Sequence, residues 1–373
     1  MSKFLSKAAT SVEPYVPGEQ PVALGLTNYI KLNTNENPYP PSPNVLKVLK
    51  RYNYKNLRLY PSSDSRRLKT ELAEFISENY NQYFEFSPYK DNLEIKPEQV
   101  FVANGSDEVL AMIFMAFTNP GDNVYFPDIT YGFYSVYSEL FRTKTNLIPL
   151  DETLSIQAKD YKNLTGTIFI ANPNSPTGKF LSRDLIDIIA NNPEALVVID
   201  EAYIDFSYIN CSCISQLESF DNLIVVQTFS KSRGLAGARL GYAVSSPEII
   251  KGLERVKFSF NPYNVNLLTE DLAIASLRDK AYFRKVILQI KNTRKFVQAE
   301  LKELDFLVID SLSNFLFVKH STIPSIEIYT KLREVGILVR HFDEERIKDF
   351  LRITIGKDKE MDELIKVLRD ILE

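Results

Sequence analysis

Short apolar runs alternate with amphipathic stretches through the middle of the chain. The apolar runs are continuous, as in strands that are buried on both faces of a sheet. In the stretches between them, apolar residues recur every three or four positions, which is typical of helices that pack on a sheet. The predicted strands are 100–103, 123–126, 167–171, 196–199, 223–228 and a last one near 243–244, and the predicted helices are 65–80, 109–117, 131–141 and 182–190. Strand–helix units in series predict an α/β fold with a mostly parallel central sheet covered by helices on both faces.

The pattern changes after about residue 255. Long helical runs come first, and strand-like runs alternate with amphipathic helices beyond them. The helical runs are 265–278, 281–304, 326–335 and 358–372, and the strand-like runs are 307–309, 314–318 and 351–355. We therefore expect a large domain at 44–255, a small α+β domain at 256–373, and an extended arm at 1–43, rich in Pro and Asn, that packs against the small domain.

Composition and charge exclude several classes of protein. The 373 residues include 44 Lys and Arg and 48 Asp and Glu, a formal net charge of −4, so nothing points to a nucleic-acid surface. The longest apolar stretch, 109–117, is too short to span a membrane. With two Cys and two His, the chain cannot form a disulfide framework or a His-rich metal site. We expect a cytoplasmic protein with no metal and no nucleic-acid or membrane partner.

Distinctive polar side chains follow several of the predicted strands. In an open α/β sheet, ligands bind at the carboxyl ends of the strands, so these side chains are the first candidates for a site. They are Ser106 and Asp107 after 100–103, the turn 172–178 (Asn-Pro-Asn-Ser-Pro-Thr-Gly) after 167–171, Asp200 and Tyr203 after 196–199, and Ser230, Lys231 and Arg239 after 223–228.

Taken singly, these groups have ordinary structural explanations. A carboxylate at a strand end often caps a helix, a loop lysine is commonly solvated, and a Pro/Gly turn needs no function. The segment around Arg239 is not a dinucleotide fingerprint, and no phosphate loop is present. Together they match what pyridoxal phosphate needs. Its aldehyde requires a lysine amine, its ring nitrogen a buried carboxylate, and its phosphate helix-start N–H groups, hydroxyls and an arginine.

The sequence resembles the class I and II pyridoxal-phosphate aminotransferases of fold type I over nearly the whole chain. The motifs ANGSDE, PDITYGFY, NPNSPTG, VVIDEAYIDF and TFSKSRGLAGARLGY carry the resemblance in the family's order and spacing. The segments EPYVPGEQ, LNTNENPYP, GILVRHF and LRITIG are similar to the histidinol-phosphate branch of that family. The resemblance implies the fold-type-I architecture and ping-pong transfer of an amino group from L-histidinol phosphate to the 2-oxo acid 2-oxoglutarate.

The resemblance also implies the roles of the residues that hold the cofactor. Lys231 forms a Schiff base and later moves a proton, Asp200 pairs with the ring nitrogen, and Tyr203 hydrogen-bonds the ring oxygen. Tyr131 stacks on the cofactor. The phosphate is bound by Ser106, Asp107, Ser230 and Arg239, and by Tyr60 of the neighbouring subunit. The family arrangement is therefore a homodimer with composite sites.

Three residues match family positions that bind substrate, and one position of the turn differs from the family pattern. Arg352 is similar to the arginine that holds a substrate carboxylate, and Arg340 and Tyr15 match positions near the substrate's distal phosphate. In the family turn, the Asn that hydrogen-bonds the ring oxygen stands where this chain has Ser175. Either Ser175 bonds through water or Asn174 substitutes for it, and both remain candidates.

Three other functions share parts of this sequence pattern. A sibling enzyme on the same scaffold could decarboxylate a phosphorylated amino acid or transaminate another small phosphorylated amine, and the sequence does not separate these activities. A regulator with an aminotransferase-like sensor would need a fused DNA-binding helix-turn-helix, whereas the chain begins almost directly with the arm. A binding-only protein would not need Lys231, Asp200 and Arg239 together.

Overall fold

Strands and helices alternate along the first three-quarters of the chain in the computed structural model, which describes residues 2–21, 29–83, 93–182, 184–207 and 211–373. Parts of the predicted arm (1 and 22–28) and residue 183 of the predicted helix 182–190 lie outside these ranges. The elements are α1 (Lys7–Ser11), β1 (Ile30–Lys31), α2 (Pro43–Arg51), α3 (Arg66–Tyr83), β2 (Val100–Ala103), α4 (Ser106–Phe117), β3 (Asn123–Pro127), α5 (Phe133–Leu140), β4 (Lys144–Ile148), β5 (Gly166–Ala171), α6 (Asp184–Ala190), β6 (Ala195–Asp200), β7 (Leu223–Thr228), β8 (Gly241–Ser245), α7 (Pro247–Phe260) and α8 (Leu267–Arg278).

The large sheet has the strand order β2-β8-β7-β6-β5-β3-β4. Its ladders are parallel except at β8, which is antiparallel to both of its neighbours. The expectation of a mostly parallel sheet in an α/β fold is therefore confirmed. The inner strands are buried along their length, as in β6 and β7, because helices cover both faces and leave no side for polar residues.

The remaining elements form a second, smaller layer. They are α9 (Lys280–Glu303), β9 (Phe306–Ile309), β10 (Phe315–His320), α10 (Ser325–Glu334), β11 (Ile337–Leu338), β12 (Arg340–His341), β13 (Leu351–Thr354) and α11 (Asp358–Leu372). An antiparallel sheet has the order β12-β13-β10-β9. The arm joins this layer, since β1 pairs in parallel with β11 and Leu32 packs into the same apolar core.

The structure also contains elements that the sequence pattern did not predict. The arm is not extended throughout, because Ser6 caps the helical turn α1 by accepting from the Ala9 N–H. The edge strand β4 carries largely exposed residues, so its pattern lacks the apolar run of a buried strand. Helices α2 and α7 each begin at a proline behind a capping serine, Ser42 and Ser246, which is a recognised start signal.

The division of the chain near residue 255 remains a prediction. Helix α8 packs on α2 and α3, and its buried side chains join the core beneath the large sheet. Helix α9 is the first α-helix whose buried side chains join the core of the smaller layer. Among the described helices, none combines the length and apolar character needed to cross a membrane.

Candidate active site

The candidate residues meet where the strands of the large sheet end and the smaller layer covers them. Asp200 is the last residue of β6, and its carboxylate accepts hydrogen bonds from the Tyr134 hydroxyl at 3.0 Å and the Ala202 N–H at 3.1 Å. Burial raises the pKa of Asp200 to about 6, although the bond from Tyr134 acts in the opposite direction. Within the described ranges no salt bridge forms to it, so a cation beside this carboxylate would be strongly stabilised.

The amine of Lys231 lies close to Tyr203. Lys231 follows β7, and its Nζ donates to the Thr34 carbonyl at 3.2 Å and stands 5.8 Å from the centre of the Tyr203 ring. Its immediate neighbours are small hydroxyl side chains, and Thr228 donates to Ser230 Oγ at 3.0 Å. The amine has no carboxylate partner among the described residues, which suits a nucleophile that must lose its proton.

A tight backbone cradle forms where β2 turns into α4. Gly105 adopts a φ of 91° and precedes the helix start at Ser106. A Cβ on Gly105 would lie 2.4 Å from Arg239 Nη2, so only glycine lets the arginine reach the helix start. Arg239 is itself left-handed at φ 54°, and its Nη2 lies 3.4 Å from Asp107 Oδ2. Free N–H groups at a helix start together with a guanidinium make an anion site.

Aromatic side chains line one side of this cradle. The Tyr131 hydroxyl donates to Asp107 Oδ1 at 2.7 Å, and burial raises the pKa of Tyr131 well above its usual value. From the arm, the ring of Tyr15 stacks on Phe133 at 4.4 Å and lies 6.3 Å from Tyr131. The arm therefore covers the aromatic wall.

Two arginines of the small sheet stand opposite each other. Arg340 in β12 pairs in register with Arg352 in β13. Arg352 donates to Ser175 Oγ at 3.1 Å and to the Asn33 carbonyl at 3.0 Å, while its buried Nε has no partner. Burial lowers the pKa of Arg352, and the ionisable groups around it include no carboxylate. A planar cation with an unused donor is prepared for an anion.

The turn at 172–178 separates the two open candidates. The Asn174 amide donates to the Ile129 carbonyl at 3.0 Å and to Thr177 Oγ1 at 3.2 Å, and its oxygen accepts from Thr130 at 2.8 Å. These contacts hold Asn174 within its own loops, whereas Ser175 meets Arg352. A contact between either residue and a cofactor stays a prediction.

Tyr60 differs from the other candidates in its surroundings. It is 80% exposed, and its ring stacks on Tyr263 at 4.6 Å. Tyr134, which contacts Asp200, and the 33–35 segment of the arm were not predicted from the sequence as parts of the site. Both lie in quoted motifs, PDITYGFY and LNTNENPYP, but the contacts join positions far apart in sequence.

The assembled groups fit pyridoxal phosphate. The buried carboxylate of Asp200, with its raised pKa, suits a protonated ring nitrogen. The lysine amine, which forms no salt bridge to a described carboxylate, suits an aldehyde, and the Gly105 cradle suits a phosphate. None of these fits requires a residue that the described chain lacks.

Comparison with known proteins agrees with this geometry. The sequence pattern of the aminotransferase class I and II family matches residues 27–368. The chain is 48% identical to a histidinol-phosphate aminotransferase of Brachyspira hyodysenteriae and 44% identical to one of Clostridium acetobutylicum, each over 100% of both chains. A solved histidinol-phosphate aminotransferase of Sinorhizobium meliloti, in complex with pyridoxal-5'-phosphate, superposes with a TM-score of 0.85 at 23% identity over 100% of this chain and 98% of that one.

Proposed function

The chain belongs to the class I and II aminotransferases, and we propose that it transfers the amino group of L-histidinol phosphate to 2-oxoglutarate. It is a transaminase that uses pyridoxal phosphate. Transfer occurs in two half-reactions, so one site must bind a phosphorylated amine in the first and a dicarboxylic acid in the second.

The paired arginines are the observation that carries the choice of substrate. Arg340 and Arg352 stand in register on adjacent strands, and the charges of both arginines act to lower the pKa of Tyr15, which burial raises. Two cationic anchors suit two kinds of anion. We assign the α-carboxylate of glutamate to Arg352 as a bidentate pair, and the phosphate of the amine to Arg340 and Tyr15.

The residues around the cofactor divide the chemical work. Pyridoxal phosphate supplies an aldehyde and an electron-withdrawing ring that stabilise a carbanion next to nitrogen. Asp200 keeps a positive charge on the ring nitrogen, because a buried carboxylate is stable only beside a cation. The Nζ of Lys231 takes the proton from the substrate carbon that carries the amino group. Tyr131 and Tyr15 cover the site and exclude water from it.

We also propose that the enzyme is a homodimer with composite sites. One face exposes large apolar side chains that no described segment covers, and their exposed fractions are 73% for Tyr54, 69% for Leu57 and 80% for Tyr60. Apolar patches of this kind are typical of interfaces. A second copy on this face would bring Tyr60 to the partner's phosphate cradle. Neither Cys211 nor Cys213 takes part in a disulfide, in keeping with a cytoplasmic location.

Single-turnover measurement of each half-reaction tests the substrate assignment. Arg340→Ala should slow the half-reaction with L-histidinol phosphate by about 2–4 kcal/mol in transition-state terms, from loss of a charged hydrogen bond in a closed site. It should leave the glutamate half-reaction nearly intact, and Arg352→Ala should impair glutamate most.

A surface arginine provides the control for this experiment. Arg369 pairs with Glu300 on the outside of the small layer, so Arg369→Ala should change neither half-reaction. If Arg340→Ala slows both half-reactions equally, or neither, the phosphate anchor is wrong and the donor need not be a phosphate ester.

A further inference from the structure

Three consecutive residues of the arm contact three different residues of the candidate site. The Asn33 carbonyl accepts from Arg352 at 3.0 Å, the Thr34 carbonyl accepts from Lys231 at 3.2 Å, and the side chain of Asn35 contacts Tyr203. We propose that Asn35 is a positioning residue that orients the Tyr203 hydroxyl toward the ring oxygen of the cofactor. The proposal rests on the function proposed above.

The Asn35 side chain presents its amide nitrogen to Tyr203. Asn35 Nδ2 donates to the Tyr203 hydroxyl at 3.0 Å. On its other side, the Thr354 hydroxyl donates to Asn35 Oδ1 at 3.0 Å and accepts from the Asn35 N–H at 3.0 Å. Thr354 thus binds the amide oxygen, and the amide nitrogen faces the tyrosine. Asn35 is 1% exposed, so water does not compete for these bonds.

The smaller layer fixes the position of Asn35 itself. Thr354 belongs to β13, two residues beyond Arg352, and Asn314 Nδ2 donates to the Asn35 carbonyl at 3.0 Å. Asn35 adopts a left-handed φ of 57°, which Asn tolerates better than most residues. The same strand therefore positions both Arg352 and, through Asn35, the hydroxyl of Tyr203.

This arrangement determines where the Tyr203 proton goes. A hydroxyl that accepts from Asn35 must donate its own hydrogen elsewhere, and donation is strengthened when the oxygen also accepts. By the assigned role, the acceptor is the ring oxygen of the cofactor. A stronger bond there stabilises negative charge on that oxygen and so favours the deprotonated form of the linkage to Lys231.

The test is a pH titration of the visible absorbance of the cofactor-loaded protein, which reports the protonation of the Lys231 linkage. Asn35→Gly removes the amide and tolerates the left-handed backbone. The midpoint of the absorbance titration of Asn35→Gly should lie roughly 0.3–1 pH unit above that of wild type, the equivalent of one neutral hydrogen bond. Tyr203→Phe should raise the midpoint further, and Asn35→Gly added to Tyr203→Phe should have no additional effect.

A conservative pair at Thr354 keeps the proposal testable if Asn35→Gly does not fold. Thr354→Val removes the hydroxyl that holds the Asn35 amide and should also raise the midpoint, whereas Thr354→Ser keeps the hydroxyl and should not. The ionisable groups around Tyr203 and Lys231 stay unchanged in all of these variants: Asp200, Glu36, Arg352, Tyr15, Tyr131 and Tyr134.

The outcomes separate this inference from the proposed function. If wild type shows no visible absorbance from a bound cofactor, the cofactor assignment itself fails, and if the absorbance is present but changes with pH in none of the proteins, Asn35 does not act on the Lys231 linkage. If Tyr203→Phe shifts the midpoint but Asn35→Gly and Thr354→Val do not, or if the Asn35 effect persists in the Tyr203→Phe background, Asn35 does not act through Tyr203.

Discussion

Asp200 is a carboxylate whose surroundings disfavour its charge. It is 5% exposed and accepts two hydrogen bonds from neutral donors, too little to offset its burial, and its pKa rises to about 6. A ring cation reverses that balance when it binds. Residues such as Asp200 and Lys231 could be predicted from sequence because each directly follows an apolar strand. Asn35 could not, since its contact with Tyr203 joins positions 168 apart.

The raised pKa of Asp200 predicts how stability depends on pH when the cofactor is removed. The folded pKa lies above the unfolded value of about 3.9, so the contribution of Asp200 to stability is most favourable below pH 4 and is lost as pH rises through about 6. Asp200→Asn removes this penalty. The cofactor-free variant should therefore exceed wild type in free energy of unfolding by roughly 1–3 kcal/mol above pH 6 and by little at pH 4.

Urea unfolding of the two cofactor-free proteins from pH 4 to 8 measures this difference. Burial also raises the pKa of the neighbouring Glu201, to about 7, but Glu201 titrates in both proteins and cancels in the comparison. Added cofactor should stabilise wild type more than Asp200→Asn, and the variant should lose most of its activity. A difference that is flat with pH would mean that the pKa of Asp200 is not raised in the folded protein.

At the scale of elements, the site depends on how strands end and helices begin. Four buried strands, β2, β5, β6 and β7, each lead into a candidate residue or turn. The sequence predicted these strands because their apolar runs are continuous. It did not predict β4, which is exposed at the sheet edge, or β12, a two-residue strand that brings Arg340 opposite Arg352. Short pairings depend on contacts with distant segments and leave no periodic pattern.

Two glycines of nearly the same φ give a matched test of the helix-start cradle. Gly105 has φ 91° and Gly121 has φ 92°, but a Cβ on Gly105 meets Arg239 whereas one on Gly121 meets nothing within 4 Å. Alanine at either position should cost about 1–3 kcal/mol of stability from strain at a positive φ. Only Gly105→Ala should also weaken cofactor binding, by about tenfold or more. Equilibrium titration of each cofactor-free variant with pyridoxal phosphate measures its dissociation constant. Equal affinities of the two variants would mean that the cradle at Gly105 does not bind the phosphate.

For the whole molecule, the proposed dimer explains a surface that the described residues of a single chain leave uncovered. The exposed face of Tyr54, Leu57 and Tyr60 continues to the stacked ring of Tyr263, which is 43% exposed. Sequence could predict the partner role of Tyr60 only through family resemblance, because exposure is a property of the folded chain.

Mixed dimers test whether the sites are composite. Tyr60→Phe should impair the enzyme and Lys231→Ala should inactivate it, but a mixed dimer would hold one site with both native residues. Refolding the two variants together in equal amounts should therefore restore up to about a quarter of wild-type activity above that of either alone. Tyr54→Phe, which removes a hydroxyl from the same face, serves as the control in place of Tyr60→Phe. An active monomer in sedimentation would contradict the composite site.

We assign Lys231 as the residue to which pyridoxal phosphate is attached. Borohydride reduction of the loaded protein followed by peptide mass mapping tests it most directly, because reduction makes the lysine–cofactor bond permanent. We expect one pyridoxyl group per chain, on Lys231, and none in Lys231→Ala. A pyridoxyl group on any other lysine of the wild-type protein would contradict it.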